Sequence, residues 1–181
     1  GLVTAVTELT DKRIVMIMDV EMVLAKTSGF GEGEELFEGI EKLDRDDVTV
    51  LFADDSAVAR DQIVRTLNHI GVKHLSASNG SEAWEKIKDL ADRAEATGHK
   101  VSDYVQVILT DVEMPEMDGY VLTKNIKQDP RLAGIPVIMH SSLSADANQE
   151  LGKGVGADAY VPKFQPVELA AKLPEILSGH P

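Results

Sequence analysis

The chain contains no cysteine, which excludes disulfides and every site built on a thiolate. It is also short of positive charge: 18 Lys and Arg stand against 31 Asp and Glu, a formal charge of −13. Such a balance repels phosphate backbones and anionic lipid, so nucleic acid and membrane surfaces are poor partners. No apolar run approaches the roughly 20 residues of a membrane span. Residues 1 to 20 lack the basic start and apolar core of a signal peptide. These absences point to a soluble, cytoplasmic protein without direct membrane insertion. The first residue is Gly1 and not Met, as expected of a processed or cut piece. At 181 residues the length suits one well-cored domain plus a tail.

What is present divides at about residue 48. Residues 2 to 9 (LVTAVTEL) and 13 to 18 (RIVMIM) are apolar and rich in β-branched side chains. The polar TDK between them predicts a hairpin, which needs a partner surface to be stable in water. Residues 28 to 47 are Gly-rich and acidic, a linker composition. Within them Leu36, Phe37, Ile40 and Leu43 fall at helical spacing, so a short amphipathic helix is one reading and a solvated linker the other.

From residue 48 the pattern is regular. The runs 48 to 53, 73 to 78, 105 to 110, 136 to 141 and 159 to 162 predict strands, several nearly continuously apolar and so covered on both faces. Segments 57 to 70, 80 to 97, 119 to 128, 145 to 153 and 166 to 178 predict helices, with Pro174 expected to kink or shorten the last. Five alternating strand and helix units predict an α/β fold, a five-stranded parallel sheet with helices on both faces.

Ligands of such sheets sit beyond the carboxyl ends of the strands. Taken strand by strand, those ends carry Asp54 and Asp55, then Asp111, then Ser141, then Lys163. Three crowded carboxylates are costly to keep ionised without a cation. Mg²⁺ fits, because it takes oxygen ligands and is typically held by one or two carboxylates plus a phosphate. Lys163 and Ser141 suit the oxygens of a phosphoryl group, and Asp111 is left as a nucleophile able to form an aspartyl phosphate. Singly, each has a plainer explanation: a helix cap for Asp54 and Asp55, a turn former for Asp111, a surface charge for Lys163 and a satisfied hydroxyl for Ser141. Their joint placement favours the functional reading.

These residues also match a family. The pair DD at 54 to 55, the D-x-x-M-P-x-M-D-G pattern from Asp111, Ser141 after an apolar strand and GADAYVPK ending in Lys163 resemble the receiver domain of two-component response regulators, a flavodoxin-like fold, over residues 48 to 179. The interval from Asp55 to Asp111 is longer than usual for it, the excess falling within residues 80 to 103, where a longer second helix would absorb it. The resemblance implies that Asp111 accepts phosphate from a histidine kinase. It implies that Asp54, Asp55, Asp111 and the backbone carbonyl of Glu113 hold Mg²⁺. Ser141 and Lys163 would then move toward the phosphoryl group while Tyr160 turns between outward and inward positions, altering the face of the fourth helix, fifth strand and fifth helix. It implies a signalling domain, not an enzyme, assisting only its own phosphorylation and dephosphorylation. Two departures stand out. The family usually places Pro, often after a cis bond, directly after the lysine, where this chain has Phe164; a cis bond there would cost roughly 2.5 to 4 kcal/mol. Glu113 adds a carboxylate at the mouth of the site.

The segment GLVTAVTELTDKRIVMIMDVEMVL resembles the last strands of a CheW-like coupling domain. A coupling domain followed by a receiver is the layout of CheV-type chemotaxis adaptors. That implies a CheW-like fragment at 1 to 26, an acidic linker at 27 to 47 and a receiver at 48 to 181. The implied partners are a chemotaxis histidine kinase and, through the CheW-like part, chemoreceptor array components. Two alternatives remain at this stage. One is a haloacid-dehalogenase-like metal-dependent phosphohydrolase, whose nucleophile pattern D-D-S at 54 to 56 does not supply. The other is a receiver-like interaction module that is never phosphorylated.

Overall fold

A computed structural model of the chain describes residues 3–8, 14–18, 34–141 and 146–179. Strands β1 (Val3–Glu8) and β2 (Ile14–Met18) pair antiparallel; the residues joining them lie outside the described ones, as do the ends of the predicted hairpin. The main body alternates β3 (Thr49–Ala53), α1 (Ala57–Ile70), β4 (Lys73–Ala77), α2 (Gly80–Thr97), β5 (Val107–Asp111), α3 (Gly119–Gln128), β6 (Val137–Ser141), α4 (Asp146–Val155), β7 (Ala159–Pro162) and α5 (Pro166–Gly179). The five strands β3 to β7 are all parallel, in the order β4-β3-β5-β6-β7.

Residue parity along the strands sorts the core. Val50 and Phe52 of β3, Val107 and Leu109 of β5, Ile138 of β6 and Val161 of β7 pack with Ile63 and Leu67 of α1 and Leu169 and Leu173 of α5. Leu51, Ala53, Ile108 and Val137 face the other way, onto Ala83, Ile87 and Ala91 of α2 and Leu122 and Ile126 of α3. A strand covered on both faces has no polar position to spare, which is why these runs are almost wholly apolar. Strand β4 departs from that expectation: it is an edge strand, and most of KHLSA is exposed or half-buried.

Local chemistry sets the helix starts. Asn79 Oδ1 accepts from the Glu82 amide at 2.8 Å while Glu82 reaches back to the Ser78 amide at 2.7 Å, and Asp118 Oδ1 accepts from the Val121 amide at 2.8 Å. Both satisfy amides that have no partner inside the helix. The long α2, closed by Gly98 in the left-handed region and followed by a 3-10 turn at Val101–Asp103, occupies most of the stretch between β4 and β5.

One open choice is decided and two expectations need correction. Of the two readings of residues 36 to 43, the structure has no α-helix there but a 3-10 turn, Glu34–Phe37; Ile40 and Leu43 pack beyond it, and the Leu43 amide donates to the Ile70 carbonyl at 2.9 Å. Pro174 does not shorten α5, which runs through it to Gly179. Burial of Leu173 and Ile176 on either side outweighs the missing hydrogen bond. Third, β5 begins at Val107 and includes Asp111, so the aspartate is the final residue of the strand and not the first of the turn.

Candidate functional site

The chain leaves β3 for β4 on one side and returns to β5 on the other, so the crevice where strand order reverses lies over the ends of β3 and β5. Asp54 follows β3 and Asp111 ends β5. One carboxylate oxygen from each of Asp54, Asp55 and Asp111 lies within 4.8 Å of the other two. Asp54 and Asp111 are buried and Asp55 is exposed, which leaves the cluster open on one side.

Lys163 enters from the turn after β7 and is itself buried. Its Nζ lies 2.9 Å from Asp111 Oδ2 and 3.0 Å from Asp54 Oδ2. One ammonium thus spans two buried carboxylates, and a lone positive charge cannot neutralise both. Burial, together with the charge of Asp54, pushes Asp111 up to about 7, against the opposing pull of Lys163 and the Glu113 amide. The donor set therefore fits a divalent cation: three hard oxygen ligands, surplus negative charge and an exposed side.

The surroundings hold these groups in place. Asp54 Oδ1 accepts from the Ser56 amide at 2.9 Å. Arg60 Nη1 donates to the carbonyls of Asp54 and Asp55, both at 2.9 Å. The Glu113 amide points at Asp111 Oδ1 from 3.4 Å, while its side chain is exposed. Ser141 ends β6 one step beyond His140, which is paired with Asp111 across the sheet, and its carbonyl accepts from the Lys163 amide at 2.9 Å. Tyr160, half-buried on β7, lines a ≈ 170 Å³ cleft with Gly152 and Lys153 of α4 and Lys172 of α5.

The turn after Lys163 is settled without an isomerised bond. No cis peptide occurs among the described residues; Phe164 takes φ +61°, a region costly for a bulky side chain. Its ring is buried, and that burial compensates.

The structure thus brings Asp54, Asp55, Asp111 and Lys163 together, sets Ser141 beside them and leaves Tyr160 on the neighbouring face. Sequence reasoning gave no role of their own to four neighbours. Arg60 is one, and Gly119 is another: a Cβ there would collide with the Asp111 carbonyl oxygen. Tyr120, raised by burial and by Tyr160, Asp118 and Glu113, is the third. His140 is the fourth, held down to about 3 by burial and then by Lys163, against a backbone hydrogen bond to Pro162. A signal existed for His140, since it interrupts the otherwise apolar PVIM run.

Comparison with known proteins agrees with this geometry. Residues 50–174 match the model of the response regulator receiver domain family. Chemotaxis protein CheV3 of Helicobacter pylori is 31% identical, over 97% of this chain and 55% of that protein. The chain therefore spans about half the length of the CheV relatives it matches. Chemotaxis protein CheY1 of the same species is 35% identical over 71% of this chain and 95% of its own length. Among solved structures, the receiver domain of the Arabidopsis thaliana histidine kinase CKI1, complexed with Mg²⁺ and BeF₃⁻, superposes with a TM-score of 0.66 at 26% identity, over 74% of this chain and 91% of that one. No described helix is long and apolar enough to cross a membrane.

Proposed function

The chain belongs to the response regulator receiver domain family, and from that premise we propose that it is a Mg²⁺-dependent phosphoacceptor phosphorylated on Asp111 by a chemotaxis histidine kinase. The observation that carries this reading is the buried Lys163 ammonium spanning Asp54 and Asp111 beside a third carboxylate.

Asp54, Asp55, Asp111 and the Glu113 carbonyl would hold Mg²⁺. When bound, the ion offsets the surplus negative charge and withdraws electron density from the phosphoryl oxygens. An Asp111 oxygen attacks phosphorus, the P–N bond of the phosphohistidine breaks, and the imidazole leaves with the bonding pair and takes up a proton. Lys163 then exchanges its contact with Asp111 for a phosphoryl oxygen. Ser141, one position past the level of Asp111 on the adjacent strand, donates its hydroxyl to another. With β6 and β7 thereby pulled toward the site, Tyr160 changes its packing in the cleft between α4 and α5, and the new charge is read on that face.

The same reading assigns residues 1 to 26 to the end of a CheW-like domain that engages chemoreceptor array components, 27 to 47 to an acidic linker and 48 to 181 to the receiver. The likeness to the CheV proteins supports it. Incubation with a labelled chemotaxis kinase tests it. Label should pass to the parent only with Mg²⁺ and should not pass to Asp111→Asn; equal labelling of the two would falsify the assignment.

A further inference from the structure

Behind the phosphoryl rim, on the α1 and α5 side of the sheet, two buried polar groups converge with no use in the mechanism above. His140 is 5% exposed and Gln62 8%. Neither His140 Nδ1 nor Gln62 Nε2 has a hydrogen-bond partner among the described residues. A buried polar atom left so is costly, and such atoms ordinarily find a partner or an ordered water. Both residues line one cavity of ≈ 10 Å³, together with Thr66, Phe164, Pro166 and Leu169. That is about the space of a single water.

We propose that His140 and Gln62 hold one water between them, and that this bridge is a positioning device for Lys163 and Ser141. The proposal rests on the phosphoacceptor reading and adds residues to it. The His140 ring bonds the Pro162 backbone while Nδ1 has no such partner, so Nε2–H is the donor to the Pro162 carbonyl and Nδ1 is an acceptor. The water donates to Nδ1 and accepts from Gln62 Nε2. Thr66 Oγ1 donates to the Gln62 carbonyl at 2.8 Å and keeps lone pairs to accept from the same water.

The chain around this cavity explains why it bears on the chemistry. His140 directly precedes Ser141, Pro162 directly precedes Lys163, and Phe164, with its φ of +61°, follows Lys163 and lines the cavity. The bridge therefore ties α1, through His140, to the backbone of Pro162 just before Lys163 and to the residue before Ser141. It touches none of Asp54, Asp55 or Asp111. Cutting it should misplace the two phosphoryl-binding groups and leave the carboxylates where they are. That separates a rate defect from a metal-binding defect, and errors of about an ångström in such groups are expensive in rate.

The test uses three variants of the full chain. His140→Leu removes the acceptor, Gln62→Met removes the donor from the opposite wall, and His140→Asn places an amide oxygen close to the position of Nδ1. Acetyl phosphate serves as the phosphodonor, and Mg²⁺ affinity is measured by titration. His140→Leu and Gln62→Met should lower the saturating phosphorylation rate on the order of tenfold with Mg²⁺ affinity little changed; His140→Asn should recover most of the loss. A parental rate in both Leu and Met variants overturns the proposal, and so does an Asn variant as slow as Leu. The Lys163 ammonium resonance gives a readout independent of phosphorylation, expected to shift in the Leu and Met variants and to return in the Asn variant. If the parent itself accepts no phosphate, the phosphoacceptor reading fails, and this resonance still decides the bridge: unmoved, it refutes it.

Discussion

Replacing Asp111 by Asn should stabilise the metal-free protein at pH 8 and do far less at pH 5. The folded site lifts Asp111 from an ordinary 3.8 to about 7, through burial and the neighbouring Asp54. Between those values the folded chain holds a proton that the unfolded chain has released. Stability attributable to this group is therefore complete below pH 3.8 and is lost as pH rises through 7. Three units correspond to roughly 4 kcal/mol, of which roughly 3 falls between pH 5 and pH 8. Asn keeps the shape and removes the charge, so Lys163 remains paired with Asp54 at 3.0 Å. His140 acts oppositely: held at about 3 against an ordinary 6.5, it lowers stability as pH falls below 6.5. The informative quantity is therefore the difference between variant and parent, in which His140 cancels. Urea unfolding in EDTA at pH 5, 6, 7 and 8 measures it. A difference that stays constant within about half a kcal/mol would refute the electrostatic account, and added Mg²⁺ should shrink the gap at pH 8.

Three further perturbations probe separate parts of the argument. Lys163→Met leaves Asp54 and Asp111 buried without their shared cation, and should cost on the order of 3 kcal/mol at pH 8 but less at pH 5, where Asp111 protonates; equal losses at both pH values in urea melts would contradict this. Gly119→Ala drives a Cβ into the Asp111 carbonyl oxygen, and should cost about 2 kcal/mol or more; Gly134→Ala, where a Cβ meets nothing within 4 Å, is the control, and similar thermal midpoints for the two would sink the argument. Phe37 is stacked on His69 at 4.3 Å with Arg65 5.1 Å from its ring. Its replacement by Ala should release the 34 to 43 segment from α1 and cost about 1–3 kcal/mol of local protection. Hydrogen exchange of the Leu43 amide reads this directly, and unchanged exchange would show that Phe37 does not anchor the segment.

Much of this molecule is written in local patterns. The five apolar runs, the polar breaks between them and the capping residues Asn79 and Asp118 depend on side-chain periodicity and near-neighbour hydrogen bonds, so the α/β alternation and the helices 57 to 70, 80 to 97 and 119 to 128 follow from sequence. That Asp54, Asp55, Asp111, Ser141 and Lys163 lie at one end of the sheet was legible for a related reason: parallel strands all deliver their carboxyl ends to one rim. The segment 34 to 43 was not, because helical spacing in a Gly-rich stretch does not say whether α1 and α5 will instead recruit its apolar residues one at a time. That α5 continues past Pro174 was not legible either, since the burial that carries the helix through it comes from other elements.

The sequence by itself determined which residues carry charge and in what order the strands present them. Only the tertiary structure decided which of those charges are buried together. Burial and distance set their energies: Lys163 lies within 3.0 Å of two carboxylates, burial and then Asp54 push Asp111 up to about 7, and His140 and Gln62, 78 positions apart along the chain (140 − 62), face one cavity. None of these follows from spacing, because each depends on how far a strand, a turn and a helix from distant parts of the chain approach one another and on how completely they exclude water.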